Sequence, residues 1–135
     1  MTTEYPHSEE IIAILKDKAD FVKQNGLNYL IPNWKIFTYN YAGNEESIDE
    51  WLNELDGRKI IDEILNILSD SDKIKITEIL KEIDSKFIDQ TFEINECAWN
   101  EKVEKDNQYN RQKNWYYYRM NQNVFDNEVK QYSKR

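Results

Sequence analysis

The sequence predicts a mainly α-helical single domain, a bundle of about four helices with a small extended, aromatic C-terminal segment. Three observations carry this. Apolar residues recur at helical spacing over residues 8–25 and again over 47–92. Serines and acids stand where helix starts need them. Beyond residue 93 the period is lost, and aromatic residues gather in Asn114-Trp-Tyr-Tyr-Tyr-Arg-Met120. At 135 residues the chain is long enough for one core; 1–135 reads as a single globular domain with 127–135 as a frayed tail.

The first helix is expected from about Ser8 to Asn25. Ser8 can cap it, Glu9 and Glu10 suit its positive end, and Ile11, Ile12, Leu15, Ala19 and Val22 form one apolar stripe. Asn25-Gly26 supplies a left-handed stop. Residues 27–43, LNYLIPNWKIFTYNYAG, are rich in aromatic and β-branched residues. Trp34, Ile36 and Thr38 alternate with Phe37, Tyr39 and Tyr41, which predicts extended or irregular structure with Pro32 at an edge or bend. Trp34, Phe37 and Tyr41 also share a helical face, so a helix is the alternative.

Ser47-Ile-Asp-Glu50 is a capping box. It opens a helix carrying Ile48, Trp51, Leu52 and Leu55, which Gly57 is expected to end. A second helix follows with Ile60, Ile61, Ile64, Leu65, Ile67 and Leu68 on a broad apolar face. Ser69-Asp-Ser-Asp72 stops it and caps a third, from about Lys73 to about Phe92, with Ile76, Ile79, Leu80, Ile83 and Phe87 on one side. Such short connections pack neighbouring helices antiparallel. Residues 101–114 are polar and read as a loop. The aromatic run has strand-like composition, with Trp115 and Tyr117 facing one way and Tyr116 and Tyr118 the other.

The net charge of −8 sits in one block. Residues 45–72 hold Glu45, Glu46, Asp49, Glu50, Glu54, Asp56, Asp62, Glu63, Asp70 and Asp72 against Arg58 and Lys59. Phosphates repel such a surface, so no direct nucleic-acid binding is expected. No apolar run approaches the roughly 20 residues that span a bilayer, and no membrane partner is expected. The N-terminus lacks a signal-peptide pattern and Cys97 has no second cysteine to pair with, which predicts a cytoplasmic protein.

Reactive chemistry is scarce. His7 is the one histidine and has no oriented third group for a nucleophilic dyad. Cys97 reads as an inert thiol, and no Cys/His set for zinc exists. Gly26, Gly43 and Gly57 are too far apart for a phosphate loop. No catalytic residue, metal or cofactor is therefore expected. The many carboxylates, notably Asp62 with Glu63 and Asp70 with Asp72, keep a small carboxylate-based metal-dependent hydrolase as the alternative; helix caps and solvated faces are their commoner use.

Two readings of the acidic block stand side by side: a solubility surface, or a surface that steers a basic partner. On the second, the contact residues are Glu46, Asp49, Glu50, Glu54 and Asp56, then Asp62 and Glu63, with Trp51 as buried support. Trp115, Tyr116, Tyr117 and Tyr118 read mainly as a structural segment clamped against the helices, with one face open to a partner. Base stacking would need more positive charge than Arg111, Lys113 and Arg119 supply.

Leu80, Asp84, Phe87 and Thr91 in LKEIDSKFIDQT, then Trp99, then Trp115 to Met120, together resemble a pattern in small bacterial proteins. Those combine a Leu…Asp-x-x-Phe-x-x-x-Thr helix with a WYYYR-M-P segment; here Asn121 stands in place of the proline. The resemblance covers residues 80–120. It implies an immunity or antitoxin-type protein that binds a cognate secreted toxin, such as one of contact-dependent growth inhibition. Together with the acidic block, that makes the expected partner a basic toxin domain, a nuclease above all. A generic intracellular adaptor differs from this only in its partner.

Overall fold

Leu27, Leu30, Ile31, Trp34, Phe37 and Thr38 fall three or four residues apart, and all six are buried. This period, not the alternation of aromatic side chains, decides residues 27–43. In the computed structural model, which describes residues 4–128 and 131–135, they form helix α3 (Leu27–Asn40), not the extended segment expected. Pro32 lies inside it, on the exposed side, despite a helix-interior cost of about 3 kcal/mol. Burial of Trp34, Phe37 and their neighbours, about 1.5–3 kcal/mol for each large apolar side chain, outweighs that.

The expected Ser8–Asn25 helix is two short ones, α1 (Glu9–Ile14) and α2 (Asp20–Asn25). Ser8 caps α1 as expected, its Oγ accepting from the Ile11 N–H at 3.3 Å. Ile11 and Leu15 reach the core, but Ile12 and Ala19 stay exposed, so no continuous stripe holds the segment straight. Gly26, at φ +52°, turns α2 directly into α3. A side chain there would also stand 2.6 Å from His7 Nδ1, so Gly26 meets two demands at once.

The two helices expected at 47–68 are one, α4 (Ile48–Leu65), and Gly57 does not end it. Glycine stops a helix by turning left-handed; here the apolar contacts on either side carry the helix through. Ser47 Oγ accepts from the Glu50 N–H at 3.3 Å, as a capping box requires. The reciprocal acceptor is Glu45 Oε2, which takes the N–H of Glu46 at 3.0 Å and of Ser47 at 3.2 Å. Glu50 does not make that reciprocal bond among the described residues. Helix α5 (Asp70–Asp89) is capped by Ser69, starting and ending a few residues earlier than expected.

Both α4 and α5 pack on α3. Phe87 is the hub of the core, its ring centroid 5.0 Å from Trp34, 5.5 Å from Trp51 and 6.0 Å from Trp115. After α5, β1 (Phe92–Glu93) pairs antiparallel with β2 (Arg119–Met120), Phe92 opposite Met120. Between them, part of the expected 101–114 loop is helix α6 (Glu101–Asn107), capped by Asn100. Trp115–Tyr118 is a turn of 3-10 helix, not a strand, and only Arg119 and Met120 extend. Helix α7 (Gln122–Asn127) follows.

Asn121, the residue in place of proline, is buried and works in both directions. Its Oδ1 caps α7 by accepting from the Val124 N–H at 2.7 Å, and its Nδ2 donates to the Ala42 and Glu45 carbonyls at 2.8 Å each. The expected frayed tail is tied down over its described part. The Arg135 N–H donates to the Glu93 carbonyl at 3.0 Å, Asn95 N–H to Ser133 at 2.9 Å, and Tyr132 Oη to Ala98 at 2.6 Å. Residues 129 and 130 lie outside the described residues. Among those described, no helix is long and apolar enough to cross a membrane.

Candidate interaction surface

The acidic block divides into carboxylates that turn inward and carboxylates that face solvent. Asp56 and Asp62 turn inward. Asp56 Oδ1 accepts from Tyr117 Oη at 2.6 Å and from Trp99 Nε1 at 2.9 Å. Asp62 Oδ2 accepts from Tyr116 Oη at 2.8 Å, and its Oδ1 from Arg58 Nη1 at 2.6 Å. Arg58, 5% exposed, also grips Asp84 with Nε at 3.0 Å and Nη2 at 2.8 Å; Trp34 Nε1 donates to the same carboxylate at 2.9 Å. Burial alone would favour a neutral Arg58, but Asp84 and then Asp62 outweigh it and hold the guanidinium charged.

The tyrosines complete this network. Tyr116 and Tyr117 are fully buried and Tyr118 nearly so, with its Oη donating to Glu104 at 2.5 Å. Burial first, and the neighbouring carboxylates after it, push the three hydroxyls far above the ordinary phenol range. The aromatic segment is therefore clamped in the structure, and of its four rings Trp115 alone is half-buried. Asp56 and Asp62, expected as contact residues, hold that segment to α4. Trp51 lies fully buried beneath, its Nε1 donating to the Arg119 carbonyl at 3.2 Å.

Glu46, Asp49 and Glu50 face solvent at the start of α4 and form no ion pair among the described residues. Glu54 is half-buried and accepts from Asn33 Nδ2 at 2.9 Å. Burial, and then the charges of Glu50 and Glu45, raise its carboxyl above the usual range. Glu63 pairs with Lys59 at 2.8 Å and is spent locally. Glu45, Glu50 and Glu54 border a recess of about 230 Å³ whose opposite wall is Ile36, Phe37 and Tyr41 of the α3 end. The sequence favours extended structure over 27–43 and keeps the helix as the alternative, so it does not place that wall beside the acids.

A larger groove, of about 520 Å³, opens between Leu65, Leu80, Ile88 and Trp115, with Arg58, Asp62 and Asp84 at its polar end. Arg58 was also missed as a structural residue. Its signal was an arginine four residues before an aspartate on an otherwise apolar-faced helix. His7 is exposed beside Gly26, and Cys97 is buried, with burial pushing its thiol pKa up. Among the described residues, no group of three or more His, Cys, Asp or Glu side chains is placed to hold a metal ion. No protein-family model, curated protein or solved structure matches the chain.

Proposed function

We propose that this chain is an immunity-type binding protein that neutralises a cognate secreted bacterial toxin in the cytoplasm, without catalysis of its own. Its acidic face meets a basic surface of the toxin, for which a nuclease domain is the best-fitting class. One observation carries the reading: Glu46, Asp49 and Glu50 stand exposed together and form no ion pair among the described residues. The dipole of α4 accounts for Asp49 and Glu50 at its first turn. Glu45 serves as the reciprocal cap of the same helix, but neither the dipole nor the cap accounts for Glu46 and Glu54, which add charge near that end. Like charges held close oppose folding, and their use is to speed and orient a partner of opposite sign.

Co-expression tests it. The C-terminal domain of the secreted protein encoded beside this chain should arrest growth alone and be tolerated when this chain is present. Arrest that persists with the folded chain present, or a gene neighbourhood with no secreted protein, contradicts the reading.

A further inference from the structure

Helix α3 closes one face of itself against the core and leaves the other uncovered. Pro32, Ile36 and Tyr39 recur at intervals of four and three residues along that outer face, and Tyr41 follows just past its end. Ile36 is 53% exposed and Tyr41 56%. The row continues backwards through Tyr29, on whose ring Phe21 rests edge-on at 4.9 Å while itself half open to solvent. Single exposed apolar residues are ordinary, whereas a row along one helix face marks a contact surface.

The chemistry beside the row says what covers it. At its C-terminal end Ile36, Phe37 and Tyr41 form the apolar wall of the 230 Å³ recess, and Glu45, Glu50 and Glu54 the acidic wall. None of these three carboxylates forms an ion pair with a described Lys, Arg or His. Lys35 on this face lies over the Tyr39 ring at 5.7 Å. Burial, and then repulsion from Glu50 and Glu45, raise the Glu54 carboxyl above its ordinary range, and an incoming cation would relieve the repulsion. The two walls match the chemistry of a long basic side chain, an apolar stem for Tyr41 and a charged head for the carboxylates.

We propose that the outer face of α3 is the partner's docking surface, and that its occupant is a protein segment presenting an apolar side chain beside a basic one. The apolar residue lies on Ile36 and Tyr39, and the ammonium or guanidinium enters the recess at Glu50 and Glu54. This rests on the partner-binding reading above and names what the partner must offer.

The test titrates the full-length, isotope-labelled chain with a short amidated peptide that holds a leucine beside two arginines. Amide shifts should move at Ile36, Tyr41, Glu50 and Glu54. Replacing the arginines by glutamine, or the leucine by glycine, should weaken binding about tenfold or more, the 1.4 kcal/mol scale of one lost anchor. Ile36→Ser with Tyr41→Ser should abolish it. Both positions are exposed, so melting should not change; if it does, Tyr41→Arg replaces the pair and should repel the peptide. No shift at these residues at millimolar peptide, or equal binding of the glutamine peptide, overturns the proposal. The growth assay separates the two claims. Loss of protection by Glu46→Lys/Asp49→Lys/Glu50→Lys, but not by Ile36→Ser/Tyr41→Ser, sinks the docking face and keeps the function. Failure of the unaltered chain to protect sinks the function whatever the peptide does.

Discussion

Tyr117 Oη donates to Asp56 Oδ1 at 2.6 Å, joining the aromatic run to the acidic block across 61 residues of chain. The bond gives both features a structural use at that point. Tyr117→Phe removes a donor from a carboxylate that, among the described residues, keeps Trp99 alone, and should cost about 1.5–3 kcal/mol. Urea unfolding of the variant measures this; an unchanged midpoint would show that the hydroxyl contributes nothing.

Arg58 is the other fixed point, with Asp62 and Asp84 at 2.6 and 2.8 Å. Arg58→Met takes the guanidinium from both carboxylates at once. Loss of one partner from such a buried set costs about 3–5 kcal/mol, a large share of a small domain's stability. The variant should unfold at much lower urea, and a loss under 1 kcal/mol would contradict the account.

Gly57 predicts the opposite sign. A methyl group there would meet nothing within 4 Å, and the residue is helical. Gly57→Ala should therefore stabilise by about 0.5–1 kcal/mol through backbone entropy. Thermal denaturation reads this directly.

Alkaline pH should weaken the fold through Tyr116 and Tyr117. Both hydroxyls are held protonated in the native state well above the ordinary range. An unfolded tyrosine ionises near pH 10. The stability they contribute is complete below about pH 10 and is lost as pH rises further, because only the unfolded chain then sheds protons. Urea midpoints at pH 8, 9.5 and 11 should fall only at the last, and Tyr116→Phe/Tyr117→Phe should flatten that fall.

Much of this fold is legible in the sequence. The Ser69 cap and the apolar spacing of Ile76, Leu80, Ile83 and Phe87 predict α5 to within a few residues. The misreadings have a common cause: local signals outvoted by tertiary packing. Aromatic and β-branched residues made 27–43 look extended, yet one buried face fixes them as α3. Composition favours a stop at Gly57 and a strand at Trp115–Tyr118, and tertiary contacts decide both otherwise. The candidate site was half legible. Charge counting finds Glu46, Asp49 and Glu50, but cannot tell them from Asp56 and Asp62, whose tyrosine partners lie 54 to 61 residues away.

The proposed function rests on that division: the inward acids hold the fold, and the outward acids are the ones proposed to meet a partner. The direct measurement is the affinity of the chain for the proposed toxin partner as a function of salt, with Glu46→Lys/Asp49→Lys/Glu50→Lys alongside. The triple variant should fold like the original, bind about a hundredfold or more weakly, and lose most of its salt dependence. Equal affinity at low salt for both proteins would contradict it.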